Sequence, residues 1–146
     1  MNVSGADIRL VQKCWFSLSN HAQSISSSFY QTLFAQFPHY RRYFTTDQKV
    51  QGEKLMQMIN IIINGLNVWE KLEPEIIKLG EYHATIADLT ADDYDNIATV
   101  LIEVMCEYKG EKDPATMLAW KKTFDAVSSS MLQGQQQARV RGRRQS

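Results

Sequence analysis

Asp47-Gln-Lys-Val-Gln-Gly-Glu-Lys-Leu-Met-Gln-Met-Ile-Asn-Ile-Ile-Ile-Asn-Gly-Leu66, followed after a linker by Pro74-Glu-Ile-Ile-Lys-Leu-Gly-Glu-Tyr-His83, is the stretch whose reading decides the fold. Both segments are amphipathic at helical spacing. Gln51 opens the first and His83 closes the second, 32 residues further on. Two helices joined by a turn can bring an amide and an imidazole to opposite sides of one apolar pocket. Ile76 and Leu79 precede His83 by seven and four residues, so the imidazole belongs to their apolar stripe. On its own that placement describes an ordinary core histidine; its neighbours must say whether it does more.

Helical periodicity continues outward from this pair in both directions, and no alternating strand pattern competes with it. Towards the N-terminus, Ser4 can cap a helix with Ile8, Val11, Trp15 and Leu18 on one face. A second helix carries Ile25, Phe29, Leu33 and Phe37 at steps of four, with Tyr30 and Phe34 beside that stripe. Pro38 stops it and opens a short turn to Phe44, and Thr45-Thr46-Asp47 supplies caps for the helix over 47–66. Pro74 is expected to start the helix that ends near His83. Thr90-Ala-Asp-Asp93 resembles a capping box and opens a helix with Tyr94, Ile97, Leu101, Val104, Met105 and Tyr108, stopped by Lys109-Gly110. Asp113-Pro114 starts the last helix, whose inner face is Met117, Trp120, Phe124, Val127 and Met131. The expected organisation is one all-α domain over 1–134. A polar tail follows over 135–146, where Arg139, Arg141, Arg143 and Arg144 read as a frayed, solvated end.

Composition agrees with a single self-sufficient core. The chain has 146 residues and is 44% hydrophobic, enough to form a core without disulfide or metal staples. Cys14 and Cys106 lack metal-ligand spacing and read as two buried thiols in a reducing compartment. Sixteen basic and 16 acidic side chains give a formal net charge of +0, which argues against a nucleic-acid or membrane partner. The N-terminus has no secretory pattern. The longest apolar cluster, Met58 to Leu66, is interrupted by Asn60 and Asn64 and is too short to span a bilayer. A soluble, cytoplasmic protein is expected.

Three histidines could ligate a metal. His21 sits in the polar junction Ser19-Asn-His-Ala-Gln-Ser24 and His39 follows Pro38 on a turn, so both are expected at the surface. His83 stands apart because of the company it keeps. Phe29-Tyr30-Gln-Thr-Leu-Phe34, Phe37-Pro38 and Arg42-Tyr43-Phe44 resemble the second and third helices of bacterial globins. Gln51-Gly-Glu-Lys-Leu-Met56 and Leu79-Gly-Glu-Tyr-His83 extend the likeness. The chain is most similar to the haem domain of flavohaemoglobins and to bacterial single-domain globins of that lineage, over roughly Asp7 to Met131. Each motif is weak alone, and their order and spacing make the signal strong.

That resemblance implies a globin fold, all-α, with helices packed around one b-type haem and its iron. By position, His83 would be the proximal iron ligand and Phe44 the phenylalanine packed on the haem face. Tyr30 and Gln51 would be the distal tyrosine and glutamine, and Leu55 the apolar residue one turn beyond. Lys54 would stand at the pocket mouth, within reach of a haem propionate. These residue types suit the chemistry. A diatomic ligand that takes up electron density from iron is held by a phenol and an amide N–H, each bond worth about 1.5–3 kcal/mol. Tyr94 corresponds to a tyrosine opening the next-to-last helix, one residue further from His83 than the pattern asks, and is not expected to reach the proximal side. Gln135 is the clearer departure, because flavohaemoglobins carry a glutamate near that point. Without the carboxylate, the imidazole is not made more electron-donating. No flavin- or nicotinamide-binding sequence is expected within these residues.

The leading expectation is therefore reversible binding of oxygen, for transport or storage, with nitric oxide and carbon monoxide as further small ligands. The alternative is a nitric oxide dioxygenase served by a separate reductase. A second alternative is a globin-fold sensor or interaction protein, with His83 as core and the arginine tail as a docking arm.

Overall fold

The computed structural model describes residues 1–110 and 113–145, with side chains as far as residue 142. Its regular elements are all helical: α1 (Gly5–Leu18), α2 (Ala22–Gln36), α3 (Gln48–Gly65), α4 (Trp69–His83), α5 (Ala91–Lys109) and α6 (Pro114–Gln145). Short 3₁₀ turns link some of them, at Ser19–His21, Pro38–Tyr43 and Leu66–Val68. Among the described residues no helix is long and apolar enough to cross a membrane.

Local chemistry explains most of the boundaries. Ser4 and Asp7 form a reciprocal capping box at the start of α1, and Thr90 and Asp93 form another at α5. In each, a hydroxyl takes one backbone donor that the first turn leaves over, and a carboxylate takes the other. Asp47 caps α3 by accepting from the Lys49 N–H at 3.1 Å. Gly110 ends α5 with φ 72, a left-handed conformation that costs a glycine nothing.

Two expectations are corrected. α4 begins at Trp69, and Pro74 lies inside it. The proline removes one N–H, whose partner would have been the Glu70 carbonyl, close to the helix start. Leu72, buried against Gly65, keeps the earlier turn in place. The second correction concerns the tail. α6 runs unbroken through Gly134 to Gln145, and Gln135 is fully buried at 0% exposure. Arg139 pairs with Asp88 and Arg141 with Glu81, so this stretch docks on the fold. The side chains of Arg143 and Arg144 lie outside what is described.

The core is one contiguous cluster to which every helix contributes, with Ile25, Leu33, Ile63, Met105 and Trp120 sealed at its centre. α6 packs along α4, α1 and α5, while α2 packs on α3 and α5. The tightest approach is between α4 and α6. A Cβ added to Gly80 would run into the Met131 carbonyl, and one added to Gly134 would run into the Ile77 carbonyl. Glycine inside a helix costs about 1 kcal/mol relative to alanine, and here each glycine admits the partner's backbone in return. Gly134 therefore marks a helix crossing.

Candidate functional site

His83 ends α4 and is half-buried. Its Nδ1 lies 2.7 Å from the Leu79 carbonyl, one turn back. A carbonyl can only accept, so the neutral ring carries its proton on Nδ1 and keeps a lone pair on Nε2. That tautomer is the one a metal-ligating imidazole needs, and the helix supplies it. His21 and His39 are exposed, as expected, and ring contacts with Tyr108 and Tyr40 account for their positions.

Tyr30 lies on the inner face of α2 and is 2% exposed. Its ring is boxed by Phe29, Phe34 and Phe44, with centroids 5.1, 5.9 and 5.3 Å away. Burial pushes its pKa up to about 12, so the hydroxyl stays protonated as a donor across physiological pH. α3 crosses α2 at Gly52: a Cβ there would lie 2.7 Å from the Ser26 Oγ and 3.7 Å from the Tyr30 ring. The glycine thus seats the start of α3 against Tyr30, and Gln51 is its immediate neighbour. The Gln51 Oε1 is buried with no hydrogen-bond partner. A half-turn of that amide exchanges oxygen for N–H, so the same spot can present a donor.

Phe44 is held by its neighbours. Its N–H donates to the Arg41 carbonyl at 3.1 Å, and its ring meets Phe34 at 5.5 Å. The preceding turn is pinned by Tyr40, whose hydroxyl donates to Asp93 at 2.7 Å and accepts from Asn96 at 3.1 Å. Leu55 is half-buried against the core, as are Phe44, Met58 and Ile97. Lys54 is exposed. A cleft of about 490 Å³ runs between α2 and α3; of the residues singled out from sequence, only Tyr30 lines it.

The residues fit the haem that the resemblance implies. An imidazole with a free Nε2 lone pair, an orphaned amide atom and apolar side chains with half-exposed faces make a donor and lining set for a planar iron-bearing group. Unpartnered buried polar atoms are expensive, on the order of 1–3 kcal/mol each, and functional sites are where that cost is tolerated.

Sequence reasoning missed one connected set. The Tyr94 hydroxyl donates to the Gln135 Oε1 at 2.7 Å, and the Gln135 Nε2 donates to the Leu89 carbonyl at 2.6 Å. Gln135 does not take the His83 Nδ1, which Leu79 already satisfies. Tyr94 is buried, which pushes its pKa up to about 12. The available signal was the spacing from Gln135 back along α6 to Met131, Val127, Phe124 and Trp120, which continues the inner face.

A family model described as Globin matches residues 27–131. The chain is 21% identical over 133 residues to a flavohemoprotein of Bacillus cereus, covering 89% of this chain and 33% of that protein. It therefore spans about a third of the length of that relative. A bacterial globin from Campylobacter jejuni superposes with a TM-score of 0.78 at 16% identity, covering 92% of this chain and 97% of its own.

Proposed function

The chain belongs to the globin family, and from that premise we propose that it holds one b-type haem on His83 and binds oxygen reversibly beneath Tyr30 and Gln51, for transport or storage. The haem supplies the iron to which a diatomic ligand attaches. Tyr30 carries the reading: a buried, protonated phenol packed among three aromatic rings. Such a group is a donor held ready for a ligand that bears charge. Gln51 supplies a second polar group, and Phe44 and Leu55 keep water from the ligand. Lys54 stands exposed at the start of α3, where it can meet a propionate. Both cysteines, Cys14 and Cys106, lie buried in the core, and we assign the protein to the cytoplasm.

Tyr30→Phe tests this reading, because it removes the donor and keeps the ring. Losing a charge-assisted bond of about 1.5–3 kcal/mol should speed oxygen dissociation roughly ten- to a hundredfold. Carbon monoxide, which carries less charge when bound, should respond much less. Stopped-flow displacement of each gas makes the comparison. Equal acceleration of both gases would assign Tyr30 a steric role.

A second reading draws support from the likeness to a flavohemoprotein: joining nitric oxide and oxygen to give nitrate. Each such turnover consumes one electron, which a flavin-bearing reductase must return. Mixed with nitric oxide after oxygenation, these 146 residues should yield nitrate once and then stop. A nicotinamide cofactor alone should not restart the reaction, and a reductase added with it should. Sustained consumption without the reductase would contradict the carrier assignment.

A further inference from the structure

The two cysteines lie far apart along the chain and share one small space. Cys14 sits on the buried face of α1 with Val11, Trp15 and Leu18, and Cys106 lies in the last turn of α5 beside Met105. They are 1% and 4% exposed, and neither is part of a disulfide. Both line a cavity of about 10 Å³, whose other walls are Lys109, Asp113 and Thr116. That is room for about one water molecule, so little separates the two side chains. The Thr116 hydroxyl donates to Asp113 at 2.7 Å, and that bond, aided by the Lys109 charge, holds the carboxyl below its ordinary pKa. The opposite charges at the rim answer one another, and the sulfurs are the reactive atoms of the cavity. Cysteine used only as a small apolar residue would not need a partner cysteine across the same void, which a larger side chain would fill.

We propose that Cys14 and Cys106 form a dithiol that hydrogen peroxide oxidises to a disulfide, stapling α1 to α5. The inference goes beyond the haem reading and does not depend on it. In a reducing compartment such a bond is transient and reports oxidant. Cys106 reacts first, because it is the more exposed of the two and the last turn of a helix opens more readily than its interior. Its thiolate attacks the peroxide: an S–O bond forms, the O–O bond breaks, and the departing hydroxide takes up the thiol proton as water. The Cys14 thiolate then attacks the sulfur of the resulting sulfenic acid. The S–S bond forms, the S–O bond breaks, and the oxygen leaves with the Cys14 proton as a second water. Two thiols give up two electrons in all, and one peroxide accepts them. Gly110 ends α5 with nothing within 4 Å of an added Cβ, so the last turn has room to bring the sulfurs to bonding distance, about 2.05 Å. The bond closes a loop of 92 residues (106 − 14) and restricts the unfolded chain accordingly.

The test exposes the purified 146-residue chain to dilute hydrogen peroxide, counts its thiols, weighs the intact protein and maps its peptides. Both thiols should disappear together, and the monomer should lose the mass of two hydrogen atoms. A peptide holding Cys14 should be joined to one holding Cys106, and dithiothreitol should reverse all three changes. Cys14→Ala should strand Cys106 as a sulfenic acid that a dione probe captures, whereas in Cys106→Ala the Cys14 thiol should be lost on the order of tenfold more slowly. His83→Ala, treated alike, should form the same bridge, since iron takes no part in it. The oxidised protein should melt above the reduced one by on the order of 5 °C. Thiols that survive the peroxide would overturn the proposal. So would oxidation of Cys106 past the sulfenic stage with Cys14 untouched, or a bridge between two chains. A bridge that fails to form in His83→Ala would make this haem chemistry and overturn it as well, as would a melting temperature that does not rise.

Discussion

Replacing His83 with alanine should strip the protein of stoichiometric haem, or grossly alter the spectrum of its ferrous carbonyl form, while leaving the chain folded. The two effects separate because their energies differ. The side-chain hydrogen bond seen for His83 among the described residues is the local one to the Leu79 carbonyl, whose net worth is about 1 kcal/mol. Its loss frays the end of α4 without opening the core, in which the half-buried His83 has no place. Iron would lose its axial bond entirely. Visible absorption before and after dithionite and carbon monoxide measures the haem, and far-UV circular dichroism measures the fold. His21→Ala and His39→Ala should alter neither, since both rings lie on the surface. A His83→Ala protein with an unchanged spectrum would remove the iron from this site.

The largest change in stability is expected from a single methyl group. Gly134→Ala places a Cβ against the Ile77 carbonyl, a backbone atom that can yield only if α4 and α6 separate. Overpacking of this kind costs about 3 kcal/mol at rigid positions, even though alanine favours the helix by about 1 kcal/mol. For a domain of this size that lowers Tm by roughly 10 °C. Gly142→Ala is the matching control on the same helix: nothing lies within 4 Å of its added Cβ, so it should be neutral or slightly stabilising. Thermal melts of the two variants make the comparison. A Gly134→Ala protein as stable as wild type would mean that the crossing has more room than the structure shows. Because Ile77 and Glu81 flank the contact and belong to the helix that ends in His83, the same variant should also loosen haem retention.

The helices that announce themselves locally were legible in the chain. Ser4 with Asp7, Thr90 with Asp93, Asp47, Gly110 and Pro114 act on neighbours within one turn, and their effect follows from residue type and spacing. The inner faces of α1 and α2 were equally readable, since burial follows the helical period; on α5 the reading held as far as Met105, while Tyr108 lies exposed. Pro74 misled because packing can hold the turn before a proline despite the lost N–H and the crowded Glu70 carbonyl, and Leu72 against Gly65 is a contact between separate elements. Gly134 misled for a related reason. Glycine ends a helix when the backbone must turn left-handed, as at Gly110, and continues it when another backbone must come close. The residue type is the same in both cases, and only the partner differs.

The sequence by itself determined an all-helical chain, its caps and one apolar core. Those properties arise from interactions among near neighbours and from periodicity, which need no knowledge of what lies across the core. The tertiary structure decided which polar groups find partners. Among the described residues it left the Gln51 Oε1 without one and gave His83 the Leu79 carbonyl. It also closed Gln135 between Tyr94 and Leu89, 41 and 46 residues away along the chain. Hydrogen bonding is short-ranged and directional, so whether a buried amide is an anchor or a solvated tail depends on angstroms of helix placement. Two glycines set that placement, through a contact visible only once α4 and α6 have packed.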